Sequence, residues 1–237
     1  MTTRQDNHDS QHIAQQTARM LLEIDAIHFN ADTPYKLTSG MASPVYIDCR
    51  KLISYPRIRS ALMDFAVQAL AQKVGYQAFD AVAGGETAGI PFAAFIAERM
   101  NLPMLYVRKK PKGFGRNAQI EGDIPFSRLH TDGTALPPRV LLVEDLSTNG
   151  GSKLTFAKAM RDAGLDVQHC FVVFSYGIFK SAEQELVQQN LTLHALATWQ
   201  EVLNECIAQQ KFTPETLSSV QEFLNAPLDW SKSHGGI

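Results

Sequence analysis

The chain has 237 residues, of which 45% are hydrophobic and 19% are charged. This length and apolar content favour a soluble globular protein with a substantial core and argue against a disordered or fibrous chain. The formal net charge of −2 argues against a protein whose main partner is nucleic acid.

The sequence also predicts that no segment spans a membrane. The longest apolar runs, at 90–97 and 170–174, are far shorter than the roughly 20 residues that a membrane-spanning helix needs. The polar N-terminus lacks the apolar core of a secretory signal. Three scattered cysteines, Cys49, Cys170 and Cys206, have neither a CxxC pair nor metal-ligand spacing, which indicates reduced thiols and a cytoplasmic protein.

The first quarter of the chain predicts two helices separated by an irregular segment. Apolar residues recur at helical spacing over 13–24, and a segment rich in Pro, Ser and Gly then leads to the short β-type run Val45–Asp48. A second helix is predicted over 56–70, because proline suits the first turn and the apolar residues that follow share one face. We expect disordered ends at 1–10 and 231–237.

From residue 79 onward, predicted strands and helices alternate. In chain order they are strand Phe79–Ala83, helix Ile90–Met100, strand Met104–Val107, strand Arg139–Val143, helix Leu154–Ala163 and strand Val167–Phe174. Single helices between strands indicate right-handed parallel crossovers, hence an α/β fold with a central, mostly parallel sheet flanked by helices. Residues 181–226 predict further helices and a short strand.

Three segments at the predicted carboxyl ends of strands differ in composition from a core. They are GGETAG (84–89), RKKPKGFGRNAQ (108–119) and EDLSTNGG (144–151). Ligands of parallel α/β sheets collect at this edge. We therefore expect the substrate site there.

The segment after the strand that ends at Val143 combines two acids with a small polar loop. Ser152 is predicted to cap the next helix, and the loop before it would bring backbone N–H groups to a helix N-terminus, which binds anions. Because like charges repel, Glu144 and Asp145 suit vicinal hydroxyls, a cation or a developing positive charge. A phosphorylated sugar would supply a phosphate for the loop and hydroxyls for the two acids. The alternative is that the segment is an acidic turn followed by a capped helix and binds no ligand.

Two other phosphate motifs fail. Residues 149–153 (NGGSK) lack the order GxxxxGK[ST] of a Walker-type loop. Residues 113–118 match GxGxxA, but charge and proline separate them from the preceding strand, and no clear helix follows. A dinucleotide-binding fold is therefore disfavoured.

Three segments in order resemble a known family. The stretch VLLVEDLSTNGGS (140–152) resembles the ribose-phosphate signature of type I phosphoribosyltransferases. LTSGMASPVYIDCR (37–50) and YVRKKPKGFG (106–115) narrow the resemblance to orotate phosphoribosyltransferases, whose base-site segment and mobile catalytic loop they match. With GGETAGIP (84–91) between them, the match extends over roughly 20–175.

The resemblance implies a type I phosphoribosyltransferase fold, as a single domain over 1–237 with about 20–50 forming a small N-terminal base-binding hood. It implies transfer of ribose 5-phosphate from phosphoribosyl pyrophosphate to orotate, which gives orotidine 5′-phosphate and pyrophosphate in pyrimidine biosynthesis. It also implies Mg²⁺ held through the pyrophosphate without direct protein ligands, and a homodimer with shared active sites.

The resemblance further assigns roles to residues. Catalysis falls to Lys112, Glu144 and Asp145, with Lys112 acting on the leaving group. The base is bound by Tyr46, Ile47 and Thr148. Phosphoribosyl pyrophosphate is bound by Thr87, Ala88, Arg108, Lys109, Lys112, Glu144, Asp145, Leu146, Ser147, Thr148, Asn149, Gly150, Gly151 and Ser152.

Some of these residues have alternative interpretations. The basic run over 99–119 contains no acid and would suit a polyanion, although such runs often form solvated surface. Glu86 could orient metal-bound water or lie on the surface of a tight turn. Tyr46 and Tyr176 could be core residues.

The chain departs from the family pattern at three places. Phe114 replaces a common loop histidine, and Thr38 occupies the position of a lysine, with Lys36 as the nearest substitute. Residues 175–180 lack the arginine that clamps the orotate carboxylate, a loss worth about 1.5–3 kcal/mol. Two alternatives therefore remain open, namely transfer to another oxo-pyrimidine or purine, and a non-catalytic regulator that binds phosphoribosyl pyrophosphate.

Overall fold

The computed structural model describes residues 4–37, 39–111 and 119–237. Among these residues, no helix is long and apolar enough to cross a lipid bilayer. The first elements are α1 (Arg4–Glu23), β1 (Ile27–Phe29), β2 (Tyr35–Lys36), β3 (Ala42–Ser43), β4 (Val45–Ile47), a 3₁₀ helix (Cys49–Ser54) and α2 (Pro56–Lys73).

The remaining elements confirm the predicted alternation of strands and helices. From β5 to α4 they are β5 (Ala81–Gly85), α3 (Gly89–Met100), β6 (Met104–Val107), β7 (Ile120–Glu121), β8 (Arg128–Leu129), β9 (Ala135–Leu136), β10 (Arg139–Ser147) and α4 (Gly151–Asp162). They end with β11 (Asp166–Ser175), α5 (Lys180–Gln188), β12 (Thr192–Thr198), α6 (Trp199–Ala208), α7 (Pro214–Asn225) and α8 (Pro227–Ser233).

A six-stranded sheet in the order β12-β11-β10-β5-β6-β7 forms the centre of the fold. Strand β5 pairs in parallel with both β10 and β6, and β7 closes the edge antiparallel to β6. All five residues of β5 are buried, as expected of a central parallel strand covered by helices on both faces. The predicted α/β class is confirmed.

The described chain divides into two compact units. One contains residues 1–59, 175–180 and 197–237, and the other contains 60–174 and 181–196. In the second unit, side chains of β5, β6, β10, β11 and α4 pack into one apolar cluster. The first unit holds the antiparallel pairs β1–β4 and β2–β3.

Both ends of the chain are more ordered than predicted. Helix α1 includes residues 4–10, and α8 reaches Ser233. The Ser231 side chain is fully buried, where its hydroxyl accepts a hydrogen bond from the Ala42 N–H at 3.0 Å and donates to the Ile237 carbonyl at 2.9 Å. Residues 231–237, for which the sequence predicts disorder, thus include a side chain that contacts Ala42, 189 positions away.

Candidate active site

The strand register brings the three predicted loops to one edge of the sheet. Val143 of β10 lies opposite Gly84 of β5, so Glu144 follows beside Gly85. On the other side of β5, the Glu86 N–H donates to the Val107 carbonyl at 2.9 Å. All three loops therefore leave the sheet from neighbouring parallel strands, as the sequence predicted.

Strand β10 is longer than predicted and contains the acid pair. It continues past Val143 to Ser147, so Glu144 and Asp145 are strand residues and not the start of a loop. Both are buried, at 7% and 8% exposed. Sequence periodicity missed this extension because two consecutive acids in a strand are paired and covered only through tertiary contacts.

Glu144 lies against glycines. A Cβ atom at Gly85 would lie 1.9 Å from Glu144 Oε1, and one at Gly89 would lie 2.3 Å from the Val143 carbonyl oxygen. Glycine is therefore required at both positions for the strand, the carboxylate and α3 to approach this closely. Among the described residues, Oε1 has no hydrogen-bond partner although it is buried.

Burial also changes the ionisation of this carboxyl. Removal from water raises the pKa of Glu144 to about 7, and the neighbouring charge of Asp145 adds to the rise. The positive charges of Lys153 and Lys109 act in the opposite direction. Glu144 therefore changes between its protonated and ionised forms close to neutral pH.

Lys153 is a site residue that the sequence analysis did not identify. It is only 4% exposed, and its Nζ atom lies 3.6 Å from Glu144 Oε2. The lysine of NGGSK (149–153) was visible in the sequence, but without the Walker spacing the motif gave no reason to expect that its side chain faces strand β10.

The loop after β10 ends at a helix N-terminus. Gly150 precedes α4 with a φ of +75°, a conformation that suits glycine, and no side chain caps the helix. The predicted cap by Ser152 is wrong, since Ser152 is the second residue of α4 and its hydroxyl accepts from Lys153 Nζ at 3.2 Å. The N–H groups of Gly151 and Ser152 have no intrahelical acceptor, as in any first turn. Of the other predicted phosphate-loop residues, Leu146 and Ser147 belong to β10, and Thr148 and Asn149 lie between β10 and α4.

The loop between β5 and α3 places Thr87 at the surface and Ala88 directly before the helix. Glu86 is half-buried, and its Oε2 accepts the backbone N–H of Lys109 at 2.9 Å. Glu86 therefore links this loop to the start of the basic loop, a contact that neither sequence interpretation anticipated.

The basic loop is described only at its two ends. Arg108 Nε lies 3.2 Å from Glu121 Oε1, and its Nη2 donates to the Tyr106 hydroxyl at 3.2 Å. This ion pair raises the pKa of the guanidinium. The Lys109 side chain is exposed. The predicted roles of Lys112, and those of Phe114 and Arg116, lie outside the described residues.

The predicted base-binding residues occupy β4 and the loop after β10. Ile47 is buried, and Tyr46 is half-buried with its ring centroid 5.5 Å from that of Tyr35. The Tyr46 hydroxyl accepts a hydrogen bond from Arg50 at 3.1 Å. Tyr176, by contrast, is a core residue that packs edge-on against Trp199 at 5.5 Å. Thr38 is not among the described residues.

Comparison with known proteins agrees with the geometry. The chain is 57% identical over 225 residues to the orotate phosphoribosyltransferase of Rhizobium rhizogenes, a match of 95% of this chain and 93% of that protein. The orotate phosphoribosyltransferase structure from Aeropyrum pernix superimposes with a TM-score of 0.65 and 28% identity, over 80% of this chain and 98% of that one.

A longer protein shares the same fold. The Leishmania donovani UMP synthase structure matches 89% of this chain with a TM-score of 0.71 and 26% identity, while the match spans 42% of that chain. No family model matches the sequence. An identity of 57% over nearly the full length of both proteins confirms the resemblance drawn from segments 37–50, 106–115 and 140–152: the chain belongs to the orotate phosphoribosyltransferases, which are pentosyltransferases of pyrimidine biosynthesis.

Proposed function

We propose that Glu144 and Asp145 hold the ribose hydroxyls of phosphoribosyl pyrophosphate while ribose 5-phosphate is transferred to orotate. The observation that carries this proposal is the buried acid pair at the end of β10, followed within a few residues by the N-terminus of α4. The carboxylates repel a phosphate, whereas the helix amides attract it. The sugar is thereby bound in one orientation.

The acids also suit the transition state. As pyrophosphate leaves, the sugar carbon becomes electron-poor and gains positive charge. A carboxylate in a partly dry site stabilises such a charge more strongly than one in water. Segment 147–152, with Leu146 before it, would bind the 5′-phosphate through its backbone N–H groups and hydroxyls.

The leaving pyrophosphate is assigned to the other two loops. Thr87 and Ala88 would present backbone N–H groups before α3, and Arg108 and Lys109 would supply positive charge. The contact between Glu86 and the Lys109 N–H, at 2.9 Å, supports joint action of the two loops. Lys112 would stabilise the leaving group, in the place of the histidine that is absent from this loop.

Magnesium fits this site through oxygen ligands. The ion prefers oxygen ligands and keeps several waters when it binds to substrate phosphates. We therefore assign it to the phosphate oxygens of the substrate, with Glu86 orienting one of its waters. When bound, magnesium neutralises charge on the leaving pyrophosphate.

The base would stack on Tyr46, beside Ile47, with Thr148 donating from the phosphate loop. Lys36, which is exposed on β2 next to Tyr35, is our candidate for the charge that Thr38 cannot supply. Steady-state assays with orotate, uracil and hypoxanthine test this assignment. Turnover of orotate no faster than that of the other two bases would favour the alternative acceptor.

Lys112 distinguishes an enzyme from a regulator that only binds phosphoribosyl pyrophosphate. We expect Lys112→Ala to lower kcat about 10²- to 10³-fold, since one positive group at a developing charge is worth that much. An undiminished kcat would show that this loop has no part in catalysis.

We also propose a homodimer in which the basic loop serves the partner's site. Lys112→Ala and Asp145→Asn subunits, each nearly inactive alone, would then regain about a quarter of the wild-type activity after statistical mixing, because every hybrid has one intact site. Lack of rescue in mixed dimers would place the loop in its own subunit.

We assign the protein to the cytoplasm, because its three cysteines have neither a CxxC pair nor metal-ligand spacing, which indicates reduced thiols. We also propose that the whole chain over 1–237 acts as one phosphoribosyltransferase domain with about 20–50 as its base-binding hood, since base and sugar must meet for transfer.

A further inference from the structure

Lys153 occupies an unfavourable position for a positive charge. It is the third residue of α4, where the helix dipole and the unpaired N–H groups favour anions. It is also buried, at 4% exposed, and lysine is almost never fully buried without a partner. Something specific must therefore offset the cost of placing the ammonium there.

Among the described residues, the ammonium contacts the end of β10 and the start of α4. Nζ donates to the Leu146 carbonyl and, at 3.2 Å, to the Ser152 hydroxyl. Its third contact is Glu144 Oε2 at 3.6 Å. The ammonium of Lys153 thus contacts strand β10, the first turn of α4 and the carboxylate of Glu144.

Glu144 needs such a partner. It is buried, Asp145 follows it directly, and its Oε1 has no hydrogen-bond partner among the described residues. A Cβ atom at Gly85 would lie 1.9 Å from that oxygen, so the carboxylate is held on one side by backbone. The ammonium of Lys153 lies within ion-pair distance of this carboxylate.

We propose that Lys153 is a positioning residue that favours the ionised form of Glu144 and holds its carboxylate toward the ribose hydroxyls. The inference rests on the proposed function, in which Glu144 binds those hydroxyls. A lysine at a helix N-terminus could instead bind the phosphate directly. The inward direction of Nζ and its burial favour the carboxylate as its partner.

The test compares Lys153→Met and Lys153→Gln with Lys158→Met in the full chain. Lys158 lies on the same helix, where its side chain is exposed and pairs with Asp162 at 2.6 Å, so it controls for loss of a lysine from α4. Glutamine retains hydrogen bonds to Leu146 and Ser152 but not the charge. We expect both Lys153 variants to lower kcat/KM for phosphoribosyl pyrophosphate about 10- to 100-fold. KM for orotate should change less than about twofold.

Two readouts separate positioning from general damage. The groups that act on Glu144 are Lys153, Asp145 and Lys109, so removal of the Lys153 charge should move the acid limb of kcat/KM to higher pH. In a Glu144→Gln background, Lys153→Met should cost less than about threefold, because its effect passes through the acid.

Several outcomes would overturn the inference. The first is a kcat/KM of Lys153→Gln equal to that of wild type. The second is a loss caused by Lys153→Met that is as large in the Glu144→Gln background as in wild type. The third is an equal change of KM for phosphoribosyl pyrophosphate and for orotate, with the acid limb of kcat/KM at the same pH as in wild type. Wild-type protein that fails to convert orotate would overturn the proposed function instead. Calorimetric titration with phosphoribosyl pyrophosphate and magnesium then still tests Lys153, since a variant that binds as tightly as wild type contradicts its role.

Discussion

Strand β10 carries an acid–base pair at each end, and the two pairs are built differently. At its start, Asp80 accepts the Arg139 backbone N–H at 2.7 Å and the guanidinium at 2.9 and 3.1 Å. At its end, Glu144 lies 3.6 Å from Lys153 and leaves one oxygen without a hydrogen bond among the described residues. The first pair is geometrically complete, whereas the second is not.

The pKa values of the two acids, Asp80 and Glu144, are shifted in opposite directions. Burial would raise the pKa of Asp80, but hydrogen bonds and charge from Arg139 outweigh it and the pKa is lowered. Burial of Glu144 prevails over Lys153, and its pKa rises to about 7. A carboxylate whose two oxygens both accept hydrogen bonds from the protein stabilises the fold and has few free acceptor sites for a ligand. One whose bonds are incomplete costs stability and can bind a substrate hydroxyl.

The largest expected effect comes from neutralising the incomplete end. Glu144→Gln combined with Asp145→Asn should lower kcat/KM for phosphoribosyl pyrophosphate about 10³-fold, because charge stabilisation of the sugar carbon is lost. The melting temperature should change little, because the cost of burying Glu144 as an ion is removed while the buried Lys153 loses its charged partner. Steady-state kinetics and thermal unfolding measure both quantities. Activity within tenfold of wild type would contradict the assignment of the acids.

The second effect is on pH dependence. The folded pKa of Glu144, about 7, exceeds its usual value of 4.5, so the folded state binds more protons between these values and gains stability as pH falls. Wild type should therefore be less stable than Glu144→Gln at pH 8, by up to about 3 kcal/mol, and equal to it near pH 4.5. Urea unfolding at both pH values measures this difference.

His194 titrates in the same range with the opposite sign. Burial and the nearby His169 lower its pKa to about 4, so the unfolded state binds more protons between about pH 6.5 and 4. The protein therefore loses stability as the pH is lowered through this range. Its contribution is the same in wild type and Glu144→Gln, so it cancels in the comparison. A pH-independent difference between the two proteins would contradict a raised Glu144 pKa.

A smaller effect is expected at the complete end. Asp80→Asn should lower the free energy of unfolding by about 2 kcal/mol, because Arg139 loses its charged acceptor and Arg128, 3.4 Å from Asp80, loses its ion pair. The kcat of the folded enzyme should be unchanged. A loss of kcat without a loss of stability would reverse the roles assigned to the two ends.

The smallest effect tests the corrected helix start. Because Ser152 is not the N-cap of α4, Ser152→Ala should remove only the hydrogen bond that its hydroxyl accepts from the Lys153 ammonium, which lowers the free energy of unfolding by about 1 kcal/mol. The KM for phosphoribosyl pyrophosphate should rise a fewfold if the hydroxyl contacts the 5′-phosphate. In the Lys153→Met background, where that hydrogen bond is already absent, a loss above about 1 kcal/mol would contradict the corrected helix start.

Much of this molecule could be predicted from local sequence. Alternating apolar runs and single helices between them specify a parallel α/β sheet, because hydrophobic period and strand spacing are local properties. The three loops could be located for the same reason, since parallel strands end at one edge. Together with the base-site segment 37–50, their order and composition were sufficient to indicate the family that the comparisons support.

Only the tertiary structure decided how the acids are held. The continuation of β10 through Glu144, the glycine surface beneath its carboxylate and the inward direction of Lys153 depend on neighbouring strands and helices. The order of the C-terminal end likewise comes from a hydrogen bond between Ser231 and Ala42, 189 positions apart. Burial and pairing across such distances are non-local quantities, and a one-dimensional pattern of polar residues contains no record of them.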